Sequence, residues 1–232
     1  MSWREFWIGE HAIYVSARHK QLHYERIAAD IAALLPADGL TLLDHGCGEA
    51  LAADRLAARC AALLLYDAAP GVQDRLRQRF AGNPRIGVLS TPALEALPQA
   101  SLDMVVANSL LQYLSPAEFE AVLAFWAARL KPGGRLLIAD VIPPGVGLLT
   151  DVKALLGFAW QGGFLFAALL GLARTFFSDY RKLRAAHGLT AYAQDDMLKR
   201  LAAHGFDAMR APTNLGHNAA RMSFVATRRG AQ

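Results

Sequence analysis

From Leu42 to Ala50 the chain reads Leu-Leu-Asp-His-Gly-Cys-Gly-Glu-Ala: a short apolar run, an acidic residue, then a Gly-x-Gly turn. Without a Cβ, Gly46 and Gly48 let the backbone turn sharply and let a ligand approach the main chain closely. At the carboxyl edge of a sheet, such a turn suits a nucleotide-like ligand. About twenty residues beyond the glycines, Leu63-Leu64-Leu65-Tyr66-Asp67 ends a second apolar run on a carboxylate, which can accept hydrogen bonds from both hydroxyls of a ribose. Dinucleotide sites use a related turn, so these residues define a class of ligand before they define one ligand.

Alternating strands and helices must position these groups. From Leu40 onward, short apolar runs alternate with helical patterns, as expected of βα units in a mostly parallel sheet. Strands are predicted at Thr41 to Asp44, Ala62 to Asp67, Arg85 to Leu89, Leu102 to Asn108 and Arg135 to Asp140, with two more closing the chain. A helix from Pro70 to Ala81 puts Val72, Leu76 and Phe80 on one stripe. Ser115, Pro116 and Glu118 form a capping box, followed by Phe119, Val122, Leu123, Trp126 and Leu130 on one face. That helix is expected to stop at the turn Lys131-Pro132-Gly133-Gly134. Ahead of the first strand, Leu22 to Leu35 reads as an amphipathic helix with Tyr24, Ile27, Ile31 and Leu34 inward. Trp3, Phe6, Trp7 and Tyr14 make an aromatic leader expected to fold over a pocket.

The 232 residues and 25.1 kDa fit one domain. With 54% hydrophobic and 19% charged residues, the composition excludes a disordered or fibrous chain. The net charge of +4 is spread along the chain, which argues against nucleic acid as a partner. Cys47 lies inside the Gly-rich turn, where a bridge to Cys60 would compete with a ligand, so a reduced, cytoplasmic compartment is expected. No export signal is visible at the N-terminus. From Ala154 to Ala173 there is no charged residue, a length that at about 1.5 Å per residue approaches a bilayer core. Gln161-Gly162-Gly163 interrupts it, and a span would separate the closing strands from their sheet. Two short apolar helices forming a lid are the preferred reading.

Taken in order, DHGCGEA, YD, SLDMVVANSLLQYL and LKPGGRLLIADV resemble the motifs of class I S-adenosylmethionine-dependent methyltransferases, over about Leu40 to Val141. The later AHGF and RMSFVATRR resemble the last helix and closing antiparallel pair of that family. The resemblance implies an α/β, Rossmann-like, seven-stranded and mostly parallel sheet, with helices on both faces, an antiparallel last strand and an apolar helical lid insert. It divides the chain into an N-terminal lid and helix (1–39), a cofactor-binding core (40–145), the insert (146–190), and the last helix with the closing strands (191–232). S-adenosylmethionine is the implied cofactor and S-adenosylhomocysteine the product, with no metal. Asp44, Gly46 and Gly48 would line the methionine and ribose side, Asp67 would bind the ribose hydroxyls, and Leu94 with its neighbours would border the adenine. Asn108 would sit near the transferring methyl, and Cys47, Ala68 and Ser109 complete the implied set. Two positions depart from the pattern: Ala50 replaces the third glycine, and Ser90-Thr91-Pro92-Ala93 stands where an acidic residue is often found.

Methyl transfer is an in-line displacement on an already activated carbon, so a protein supplies chiefly alignment and exclusion of water. A base is needed only where the acceptor must lose a proton. His11, His19, His23, Tyr113 and His217 are the candidates, with His217 and Tyr113 carried forward as the expected catalytic pair. Arg18 and Arg221 are candidates for pairing with an anionic group. The insert from Val146 to Leu189 holds Leu155, Leu156, Phe158, Trp160, Phe164, Phe166, Leu169, Leu170, Phe176 and Phe177, then Arg174, Arg181, Lys182 and Arg184. Such a surface must meet the core, a second copy, a bilayer surface or an apolar ligand. The expected partner is therefore a small hydrophobic acceptor, isoprenoid, quinone-like or lipid. Peripheral contact of residues 154–184 with the inner membrane, or a homodimer, are companion expectations. Two alternatives stand beside this reading, a nicotinamide-dependent oxidoreductase and a non-catalytic scaffold that binds the same cofactor.

Overall fold

In the computed structural model, residues 14–176 and 189–230 are described. The strands β1 (Leu40–His45), β2 (Cys60–Tyr66), β3 (Ile86–Val88), β4 (Leu102–Asn108), β5 (Leu130–Val141), β6 (Phe206–Arg210) and β7 (Met222–Arg228) form one seven-stranded sheet in the order β3-β2-β1-β4-β5-β7-β6. From β3 to β5 every neighbouring pair is parallel, and β7 runs antiparallel to both β5 and β6. The order steps outward from β1 toward β2 on one side and toward β4 on the other, so a crevice opens at the carboxyl ends of β1 and β4, where open α/β sheets bind ligands.

Alternation along the strands splits the core in two. Leu42, Met104, Val106 and Leu137 face one helix layer, α1 (Ala17–Ala33), α2 (Ala53–Ala57) and α3 (Pro70–Phe80), which contributes Ile27, Ile31, Leu56 and Leu76. Leu43, Val105, Ala107 and Leu136 face the other, where α5 (Pro116–Arg129) and α8 (Gln194–Ala203) bring Phe119, Leu123, Trp126, Met197 and Leu201. The capping box of α5 forms as expected, with the Ser115 side chain accepting from Glu118 N and the Glu118 carboxylate accepting from Ser115 N. A five-residue helix, α4 (Thr91–Glu95), follows β3.

Two boundaries differ from the sequence reading. Helix α1 begins at Ala17, five residues earlier than Leu22, because Ser16 caps it by accepting from His19 N at 3.1 Å. Lys131-Pro132-Gly133-Gly134 is not a turn ahead of the strand but an excursion within it. Leu130 already pairs with Leu102, the register then shifts, and the ladder resumes with Arg135 opposite Met104. Gly133 supplies the positive φ of +77° that the excursion needs. The insert folds as two helices, α6 (Leu148–Gly162) and α7 (Leu165–Phe176), broken where Gly163 takes φ +71°. No described helix is long and apolar enough to cross a membrane.

Trp126 is wholly buried on α5, and its indole N–H donates to His45 Nδ1 at 3.2 Å, tying the helix to the last residue of β1. Burial holds the His45 imidazole at a pKa of about 4, so it is a neutral acceptor at neutral pH. Replacing Trp126 with Phe removes the donor and leaves that nitrogen buried without one. Urea unfolding is expected to show a loss of about 1–3 kcal/mol, while the far-UV spectrum is unchanged.

Candidate active site

Four consecutive amides define the shape of the turn after β1. Gly46 N and Cys47 N both donate to the carbonyl of Tyr66, at 2.7 and 3.0 Å, and Gly48 N donates to Asp67 Oδ2 at 3.1 Å. Glu49 N donates to the hydroxyl of Tyr24, on α1, at 3.0 Å. Gly46 and Gly48 take φ values of +83° and +57°, and a Cβ on Gly48 would lie 2.8 Å from the Tyr24 hydroxyl. Ala50 follows at φ +43°, carrying its methyl in a conformation glycine favours. With these four hydrogens directed at protein acceptors, the turn offers a ligand close approach to its backbone rather than free donors.

Asp67 holds the other side. Its Oδ1 accepts from Ala69 N at 2.9 Å and Oδ2 from Gly48 N, which leaves each oxygen a further lone pair. Its own carbonyl accepts from Gln73 Nε2 at 2.8 Å. Asp44, half-buried at the end of β1, has its carboxyl pushed up to about 7 by burial and by the nearby charge of Asp67. It lines a cavity with Gly46, Cys47, Asn108, His23, Tyr24 and Ile27. Asn108 Oδ1 is buried there with no hydrogen-bond partner among the described residues, while its Nδ2 donates to Ser109 Oγ at 3.2 Å.

Above this cavity the rings of three histidines gather. His19 and His23 come from α1 and His217 from the loop between β6 and β7, with ring centroids 5.9 Å apart for His23 and His217 and 6.3 Å for His19 and His217. Phe158 of α6 stacks on His217 at 4.7 Å, and Phe164 stacks on His19 at 5.0 Å. Tyr14 packs against His19, His23 and Tyr24. Burial lowers His19 to about 4 and His23 to about 3, each further disfavoured by its histidine neighbours. Burial also lowers His217, with the Asp151 carboxylate opposing it. All three rings are therefore neutral at pH 7.

The structure brings Asp44, Gly46, Cys47, Gly48, Asp67 and Asn108 together, with Ser109 adjoining Asn108. Ala68 is exposed beside Asp67, and Leu94 is buried in the core with Tyr66 rather than along the cavity. Tyr113 closes a short 3-10 turn, Leu111–Tyr113, after β4. Arg221 is buried rather than exposed, and pairs with Asp151 at 2.7 Å; Arg18 donates to the Gly162 carbonyl at the end of α6. Both arginines pin the insert to the rest of the chain. His11, Trp3, Phe6, Trp7, Phe177, Arg181, Lys182 and Arg184 lie outside the described residues, as do the side chains of Arg174 and Phe176. Two contributors escaped the sequence reading. Tyr24 read only as a core residue, and Asp140, at the end of β5 with φ +60°, stood in the motif LKPGGRLLIADV with no role assigned to it.

A family model described as a methyltransferase domain matches residues 42–134, from β1 into the start of β5. Residues 42–134 are thus similar to a methyltransferase domain, as the motifs in the sequence suggested. Uncharacterized methyltransferases of Mycobacterium bovis and Mycobacterium tuberculosis are 29% identical to it over 125 residues, 54% of this chain and 61% of theirs. The chain thus spans under two thirds of the length of these curated relatives. A biotin biosynthesis bifunctional protein of Cellvibrio japonicus is 32% identical over 139 residues, 58% of this chain and 25% of that protein. Among solved structures, magnesium protoporphyrin IX methyltransferase from Synechocystis with bound S-adenosylmethionine shares the fold, with a TM-score of 0.59 at 16% identity over 97% of this chain and 89% of that one. The antiparallel β7 lies between β5 and β6, whereas dinucleotide-binding sheets run in the order 3-2-1-4-5-6. The Synechocystis structure holds S-adenosylmethionine. The residues present suit that group: a glycine cradle closed to any side chain, a carboxylate on Asp67 with lone pairs to spare, and a buried Asn108 carbonyl oxygen without a partner among the described residues, able to accept from an ammonium.

The Asp44 shift carries a stability consequence with a definite sign. An aspartate held at about 7 against an ordinary 3.8 binds its proton more tightly folded than unfolded. Stability without cofactor is therefore lost as pH rises from about 4 to about 7. Asp44→Asn should remove this component, so the difference in thermal midpoint between variant and wild type should grow across that window; a constant difference would show that Asp44 titrates normally.

Proposed function

We propose that the chain transfers the methyl group of S-adenosylmethionine to a small apolar molecule seated among the rings of Phe158, Phe164, His19, His23 and His217. The observation that carries this reading is the cluster of rings that links His23, in the cavity of Asp44 and Asn108, to Phe158 and His217, which line a neighbouring cavity. Ring faces favour an apolar acceptor and attract a sulfonium by the cation–π interaction, and they keep water from the reacting carbon. In this reading Asp44, Gly46, Cys47, Gly48, Asn108 and Ser109 hold the methionine side, and Asp67 with Ala68 holds the ribose. The segment around Leu94 borders the adenine, and Tyr113 walls the acceptor. The cofactor supplies an electrophilic methyl on a positively charged sulfur. A lone pair of the acceptor forms the new bond to carbon as the sulfur–carbon bond breaks, and His217 takes the proton that an O–H or N–H acceptor sheds. Among the three histidines His217 is the one with a carboxylate, Asp151, favouring its protonated form, which makes it the most serviceable base.

The insert supports a second element of the reading. Phe166, Leu169 and Leu170 form an outward stripe on α7, with Leu149 and Trp160 exposed on α6, and Phe166 is 81% exposed. We infer peripheral contact of this face with a lipid surface from which an apolar acceptor would be drawn, a homodimer being the competing occupant. Vesicles containing phosphatidylglycerol should sediment the wild-type protein but not a Trp160→Glu, Phe166→Glu variant; a concentration-dependent dimer lost in the same variant would favour the homodimer.

Two variants separate binding from chemistry. Asp67→Ala should weaken S-adenosylhomocysteine binding in calorimetry by tenfold or more, about 1.4 kcal/mol. His217→Gln should leave that affinity intact and lower kcat by about a hundredfold or more, measured with radiolabelled cofactor against isoprenoid, quinone and lipid acceptors. Cofactor binding without turnover on any acceptor would favour the non-catalytic scaffold.

A further inference from the structure

Ser109 and Asp140 stand side by side at the ends of β4 and β5, and both take left-handed backbone angles, φ +55° and +60°. Such angles in residues other than glycine cost on the order of 1–3 kcal/mol each and persist where surrounding contacts enforce them. Here the contacts form one chain. Ser109 N donates to the Ala139 carbonyl at 3.1 Å, and Ser109 Oγ donates to Asp140 Oδ2 at 2.8 Å. Asp140 N donates to Asn214 Oδ1 at 3.1 Å, an oxygen that also accepts from Ser223 Oγ at 2.7 Å. Asn214 Nδ2 in turn donates to the Leu215 and Asn218 carbonyls on either side of His217. Burial raises the pKa of the Asp140 carboxyl, and the Arg221 charge and the Ser109 hydroxyl oppose that rise.

Polarity then dictates orientation. Ser109 Oγ donates to Asp140 Oδ2, and a hydroxyl has a single hydrogen, so that hydrogen is committed to Asp140. What Ser109 Oγ has left is acceptor capacity, and it can be met only by a donor. Asn108 must therefore present its NH2 to Ser109 and its carbonyl oxygen elsewhere, and that oxygen is the buried one without a partner among the described residues. A buried acceptor left unmatched costs about 1–3 kcal/mol.

We propose that Asp140 is a positioning residue which, through the hydroxyl of Ser109, holds Asn108 with its carbonyl oxygen facing the cofactor's ammonium group. This rests on the cofactor pose proposed above. Asp140→Asn can present a donor to Ser109, freeing the hydroxyl hydrogen for Asn108 Oδ1; the Asn108 amide then turns over and points its NH2 at the cation.

Calorimetry with S-adenosylhomocysteine on the full chain tests this, alongside KM for S-adenosylmethionine and kcat. Asp140→Asn is expected to raise Kd and KM by tenfold or more, about 1.4 kcal/mol, with a smaller change in kcat. Ser109→Gly, which suits the positive φ and lacks the hydroxyl, should do the same and covers the case in which Asp140→Asn fails to fold. Asn108→Asp alone should weaken binding, because two carboxylates then contest one hydrogen. Combined with Asp140→Asn it should restore binding, since Ser109 can donate to the new carboxylate and leave its other oxygen for the ammonium. Wild-type affinity in Asp140→Asn and Ser109→Gly, or additive losses in the double variant, would overturn the proposal. If the wild-type chain bound no cofactor, the pose itself would fall and this inference with it.

Discussion

The carbonyl of Tyr66 accepting two amides at once is the contact on which the site depends. It fastens Gly46 and Cys47 to the end of β2, and Asp67, the next residue, extends the same grip to Gly48. The turn is thus not a loop left open for a ligand but a backbone segment whose four amide hydrogens are already engaged. Its shape is set by β2 from one side and by Tyr24 from the other. Because β1 and β2 lie in register from Thr41 to His45, any slip of that pair would move the acceptor away from both donors.

Around this fixed turn the charged groups are few and mutually constrained. The charge of Asp67 raises the cost of ionising Asp44, so a cation beside Asp44 would relieve it. The rings of His19 and His23 add no charge, since burial keeps them neutral. The ion pair of Arg221 with Asp151 anchors the insert, linking the first turn of α6 to the residue just before β7.

Features written in local patterns could be read in advance. Strand alternation, the Ser115 to Glu118 capping box and the Gly162-Gly163 break each need only a few adjacent residues, and each appears where expected. So do Asp44, the two glycines, Asp67 and Asn108, because sheet order converts strand ends into neighbours. Contacts between distant segments were not legible. Tyr24 looked like any inward aromatic until its hydroxyl met Glu49 N, and Asp140 looked like the polar end of a strand. Lys131-Pro132-Gly133-Gly134 misled for the opposite reason: its composition is that of a turn, yet pairing of Leu130 with Leu102 draws it into β5. Arg221 read as exposed because nothing nearby in sequence announces Asp151.

At the rims of the sheet, β3 contributes three residues and β6 five, the latter ending in Arg210 and carrying a half-exposed run with Asp207 at its start. Short, charge-bearing borders of this kind make poor templates for an incoming strand. Self-association that extended the sheet from one molecule to the next would gain few hydrogen bonds, and growth into fibres by that route is discouraged.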